Sequence, residues 1–241
     1  MQPCVIPNTL EFASDISLKE NKAAYTYRCT VAVKMGENYG CESRSGGSCI
    51  PRISMRMKAD ATIIAMSVIR NENKRKLVTL SRTIDYMVVM LYHGNQKDKE
   101  IGACALHRLA VHPKNRSLIA QRGAIPPLLD LVKNGTSLQK NQAVAAIAAI
   151  SVQNNHNKIL ISQAGGISPL VQLTQNGSDK QKSLAVRALY CLAKDVKIRD
   201  EISQRGGIAP IIELAINNDT APNLRRYARA FLQLFKAKNC Q

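Results

Sequence analysis

The amino-acid sequence predicts an all-α solenoid made of repeated three-helix units, about six of them. Three observations carry this. The strings QRGAIPPLLDL from Gln121, QAGGISPLVQL from Gln163 and QRGGIAPIIEL from Gln204 recur at steps of 42 and 41 residues. Self-similarity at that period marks a stacked-repeat architecture, in which each unit buries its apolar face only against its neighbours. Each string is followed by a polar loop and an alanine-rich segment: AVAAIAAIS from Ala143, AVRALYCLA from Ala185 and YARAFLQLF from Tyr227. Finally, aromatic residues make up only 4% of the chain and tryptophan is absent, which weighs against sandwiches and barrels.

Within a unit the elements follow in order. A short first helix runs up to a glycine, as in KILISQAGG; glycine supplies the backbone freedom for a sharp turn. Proline then sits near the start of the second helix (Pro126, Pro169, Pro210), where its missing N–H costs nothing. A loop with Gly135 or Gly177 follows. The third helix is the longest. Its apolar residues fall at relative positions 0, 3, 4 and 7, one stripe on a helix of 3.6 residues per turn. In successive units these are Gly102, Ala105, Leu106 and Leu109; Ala143, Ala146, Ile147 and Ile150; Ala185, Ala188, Leu189 and Leu192; Tyr227, Ala230, Phe231 and Leu234.

The pattern extends backwards in worn form. ATIIAMSVI from Ala61 is an earlier third helix, and SDISLKENKAAYTY over 14–27 aligns with NGTSLQKNQAVAAI over 134–147. The chain therefore divides into degenerate units over 1–82 and well-formed repeats over 83–241. It opens at a second helix, and the stretch from Gly47 to Ile63 is shorter than its counterpart. Thr83-Ile84-Asp85 lacks the Gly-Pro turn. The sequence reads as a piece of a longer array or as a damaged gene product.

A period near 41, three helices per unit and a Gly-Gly-Ile-x-Pro-Leu turn together resemble the armadillo repeat family. The resemblance is carried mainly by the residues from Ile84 onwards. It implies a right-handed superhelix whose third helices line a concave groove for extended peptides. The texture is similar to vacuolar-type armadillo scaffolds, β-catenin-like proteins and the armadillo regions of plant U-box ligases. No U-box stands in these residues.

Positions 2, 6 and 9 of each third helix lie roughly opposite the apolar stripe, and the resemblance places that face in the groove. Six of the eighteen residues there are basic and none is acidic. The candidate charge contacts are Arg108, Arg187 and Arg229, flanked by Arg70, Lys194 and Lys236; Cys191, Gln233 and Ser67 add smaller polar contacts. Guanidinium forks suit carboxylates and phosphates, so the expected partner is a protein offering an extended acidic or phosphorylated segment. Importin-α-like proteins carry Trp at position 2 and Asn at position 6 to hold a basic peptide. Both are missing here, and a basic groove repels basic cargo.

Charge sets the remaining alternatives. Lysine and arginine number 34 against 17 acids, net +17, and residues 1–50 are neutral. The second reading is nucleic-acid binding through this field, although aromatic platforms among the basic residues are lacking. The third is the substrate-binding part of a larger protein, such as a ubiquitin ligase or a nuclear import adaptor.

No catalytic constellation, phosphate loop or dinucleotide fingerprint appears, so the expected protein is not an enzyme and takes no cofactor. Cys104 and His107 are one turn apart but lack further ligands, so no metal is expected. His93, His112 and His156 are expected in inter-helix loops. No apolar run suits a membrane span and Met1-Gln2-Pro3 starts no leader, so a cytoplasmic protein with free thiols is expected, with nuclear or membrane-peripheral sites as alternatives.

Overall fold

The structure, a computed structural model, describes residues 81–236. The units expected over 1–82 lie outside the described residues except for Ser81 and Arg82. Among the described residues every regular element is a helix: α1 Ser81–His93, α2 Gln96–Ala110, α3 Pro113–Gln121, α4 Ile125–Asn134, α5 Ser137–Ser151, α6 Asn155–Gln163, α7 Ile167–Asn176, α8 Asp179–Leu192, α9 Val196–Gln204, α10 Ile208–Ile216 and α11 Pro222–Lys236.

These helices fall into three ladders. The first helices of the units (α3, α6, α9) touch in sequence, as do the second helices (α1, α4, α7, α10) and the third (α2, α5, α8, α11). Each third helix also packs on the second helix of its own unit. Contacts thus run between neighbouring units, the signature of a solenoid.

The turn between first and second helices is made as the sequence predicts. Gly165 takes φ +73°, with Gly123 and Gly206 in the same left-handed region. The Gly166 N–H then reaches back to the Ile161 carbonyl at 2.9 Å, closing the α6 terminus. A Cβ on Gly166 would meet Ile161 at 2.8 Å, so this glycine also permits a close approach. The third helices α2, α5 and α8 start on side-chain caps. Thr136 and Ser178 each accept from the backbone N–H of the glutamine three residues on, Gln139 or Gln181, and that glutamine caps in return.

The core lies along the third helices. All four stripe positions of α2, α5 and α8 are buried. On α11 only Phe231 is; Tyr227, Ala230 and Leu234 are half-exposed, and the buried side shifts to Leu224, Ala228 and Phe231. Within the described residues α11 packs mainly on α8 and α10, and Arg199 of α9 also reaches its Leu234 carbonyl.

Candidate functional site

The face expected to line a groove is carried by α2, α5, α8 and α11, each of which packs on the next. Arg108 on α2 and Arg229 on α11 are exposed, and Arg187 on α8 is half-buried. None of the three has a carboxylate partner among the described residues. On α5 the same positions are Ala145 and Ala149, both buried, so a neutral stretch separates the α2 arginine from those of α8 and α11.

Arg108 stands one turn after Cys104 on α2. Burial pushes the Cys104 thiol above its ordinary pKa, with the Arg108 charge opposing. Cys191 is only 9% exposed, so little of its side chain is open to a ligand. Burial raises its pKa too, against four nearby cations: Lys194, Arg187, Lys158 and Arg116. Lys158 and Arg116 come from the first helices α6 and α3, and groove positions counted on third helices alone miss them. A signal was available: Arg116, Lys158 and Arg199 recur at the repeat period.

Lys158 is 4% exposed, and its ammonium donates to Asn155 Oδ1 at 2.8 Å. Burial holds its pKa below the usual lysine value; Asp195 pulls the other way. A lysine kept this dry needs a compensating negative charge close by or loses its proton readily.

Position 9 corrects the helical projection. Helices α2, α5 and α8 end at Ala110, Ser151 and Leu192, so Val111, Val152 and Lys194 lie past the helix ends. Lys194 is nonetheless kept near Cys191, because its ammonium sits 5.1 Å from the centre of the Tyr190 ring. Only on α11 does the helix run on to position 9, Lys236. Arg70 and Ser67 lie outside the described residues.

The last helix carries an open concavity. Pro222, Arg225, Arg226, Arg229, Ala230 and Gln233 line a hollow of about 400 Å³. Arg225 Nη2 donates to the carbonyls of Asn218 and, at 2.9 Å, Thr220, tying it to the α10–α11 loop. Arg229 Nε donates to the Ala215 carbonyl at 3.4 Å, and Arg226 lies over the Tyr227 ring at 5.5 Å. Sequence reasoning placed Arg229 and Gln233 here and missed Arg225 and Arg226, which stand one turn earlier on the same helix.

No helix among the described residues is long and apolar enough to cross a membrane, and no group of three His, Cys, Asp or Glu side chains gathers there to hold a metal. Of the histidines, only His112 lies between helices, as the cap of α3. His93 ends α1 and His156 sits in the first turn of α6.

Residues 154–193 match the family described as Armadillo/beta-catenin-like repeat. No curated protein matches the sequence. Solved structures do. The designed armadillo repeat protein YIII(Dq)4CqI is similar at 22% identity and TM-score 0.67, covering 73% of this chain and 74% of that one. A computationally designed armadillo repeat protein for modular peptide recognition is similar at 22% identity and TM-score 0.67, over 74% and 75%. The design YIII(Dq.V1)4CPAF, solved in complex with peptide (KR)4, is similar at 22% identity and TM-score 0.66, over 76% and 77%. The described residues thus carry the armadillo-repeat fold, and residues 154–193 are similar in sequence to a repeat of that family.

Proposed function

We propose that the protein is a non-enzymatic scaffold that holds an extended acidic or phosphorylated segment of a partner protein along its third helices. The observation that carries this reading is the set of groove-face arginines, Arg108, Arg187 and Arg229, that lack carboxylate partners among the described residues. Such cations are paired in the complex or stay hydrated, and a ligand with matching charge gains from forking guanidiniums. A similar fold takes the basic peptide (KR)4; the charge of this groove is opposite in kind to what such a peptide needs, which argues for an acidic ligand here. The same contrast disfavours the nuclear import adaptor; the substrate-binding part of a ubiquitin ligase is compatible with the groove.

The test is fluorescence anisotropy with a labelled polyaspartate peptide and a polylysine control. The polyaspartate binds wild type, and the Arg187→Glu/Arg229→Glu variant loses at least about tenfold in affinity at unchanged melting temperature. Unchanged binding by that variant ends the proposal. Nucleic-acid binding is the second reading, favoured by the net charge of +17. It requires labelled single-stranded DNA to bind more tightly than polyaspartate, with a steep salt dependence.

A further inference from the structure

The hollow on α11 differs from the rest of the groove in having three guanidiniums at one place. Arg225 is committed to the carbonyls of Asn218 and Thr220 and forms a fixed positive wall. Arg229 uses only its Nε, toward Ala215, so both Nη groups are left over. Arg226 makes no hydrogen bond; its guanidinium is steadied on the Tyr227 ring. Gln233, one turn beyond Arg229, adds a neutral amide to the lining. No carboxylate among the described residues pairs with Arg226 or Arg229.

We propose that this hollow is a phosphate subsite, taking the phosphoryl group of a phosphorylated serine or threonine in the partner's acidic segment. The proposal rests on the groove reading above and adds a fixed register to it. Charge and shape select the ligand. A carboxylate brings one charge and two oxygens, which leaves most of the local positive charge uncompensated. A phosphoryl group brings about −1.5 to −2 at neutral pH and three acceptor oxygens, enough for the Nη forks of Arg226 and Arg229 together. A volume of about 400 Å³ accommodates a side chain of that size. A phosphate from nucleic acid would arrive with bases that need a free aromatic face to stack on. Tyr227 is covered by Arg226, and Tyr190 by Lys194, so the peptide source is favoured.

The experiment uses the full chain and three labelled peptides, a run of aspartates around a central phosphoserine, serine or glutamate, followed by anisotropy. In parallel, inorganic phosphate is titrated and the melting temperature read. The phosphoserine peptide binds about tenfold tighter than the other two, and phosphate raises the melting temperature of wild type. The Arg226→Gln/Arg229→Gln variant loses both effects and also binds the serine peptide more weakly, because Arg229 belongs to the groove, whereas Arg226→Gln alone loses the phosphoserine preference while still binding the serine peptide. Arg226→Gln alone serves if the double variant does not melt cooperatively. Arg187→Glu weakens all three peptides equally and leaves the phosphoserine preference standing. Equal binding of the phosphoserine and glutamate peptides, or a preference that survives the double variant, overturns the subsite and leaves the groove reading intact. If no peptide binds but phosphate still stabilises wild type and not the double variant, the groove reading falls and the phosphate subsite stands. Tighter binding of single-stranded DNA than of the phosphoserine peptide, lost in the double variant, overturns the peptide source.

Discussion

Arg116, Lys158 and Arg199 occupy one repeat-related position and do different work. Arg116 donates Nε to the Ala110 carbonyl at 2.9 Å, Nη2 to Val111 at 3.1 Å and Nη1 to Val152 at 2.9 Å. Arg199 likewise joins the Ala193 carbonyl to that of Leu234. Each arginine ties the end of one third helix to the end of the next, using donors fixed in one plane. Replacing Arg199 by Ala leaves both carbonyls without that partner, and about 1–3 kcal/mol of stability is lost; Arg199→Lys fails to restore it, because a single ammonium cannot span the pair. Urea unfolding of the three proteins measures this. The recurrence of basic residues at the period was legible in the sequence. Their partners were not, because Val152 lies 36 residues from Arg116 and is brought there only by stacking.

Lys158, in the same position, has only Asn155 as a hydrogen-bond partner, and its depressed pKa has a consequence for stability. The native state holds this proton less tightly than the unfolded chain. Between the depressed pKa and the ordinary lysine value of 10.5, unfolding therefore takes up a proton, and the contribution of Lys158 to stability rises with pH. Lys158→Met removes the cost of burying the charge, and the variant is more stable than wild type at neutral pH by an amount of order 1 kcal/mol. That gap narrows as the pH approaches 10.5. Paired denaturant melts at neutral and alkaline pH decide it, since a gap that widens with pH contradicts the assignment.

At the scale of elements, the helix boundaries follow from local chemistry. The glycines with positive φ end the first helices, and Pro126, Pro169 and Pro210 fall in the first turns of the second helices. The projection assumed helices that continue to position 9, and α2, α5 and α8 end before it. The capping glutamines do more than their motif implies. Gln139 Nε2 donates to the Gln96 carbonyl at 2.6 Å, and Gln181 Nε2 to Ser137 Oγ at 3.2 Å. Each therefore fastens the start of its own third helix to the start of the preceding one. Gln139→Ala costs about 1–2 kcal/mol. Gln139→Glu keeps the cap acceptor but replaces the donor to Gln96 with an anion, so it destabilises more than removing the cap contact alone would. A thermal melt series ranks the two variants, and a Glu variant as stable as wild type contradicts the inter-helix bond.

At the scale of the described residues as a whole, contacts run from neighbour to neighbour, and the candidate site is composite. The arginines of α8 and α11 could be found by counting along third helices. Lys158 and Arg116 could not, because they reach the same region from first helices. One repeat-related position of the second helices shows the neighbour rule at work. Leu129 and Val171 are 2% and 4% exposed, covered by the next unit, whereas the equivalent Ile212 is 40% exposed. In such an array, stability is a sum of unit terms and interface terms, so units with one neighbour open first. Phe231 is fully buried where α11 meets its neighbours, and truncating it removes about 3–5 kcal/mol of local packing. Hydrogen exchange of the Phe231→Ala variant is then faster throughout α10 and α11 and unchanged in α4 and α5, two units away. A globally cooperative fold would instead speed exchange in α5 as much as in α11, and that uniform pattern would contradict the neighbour model of this solenoid.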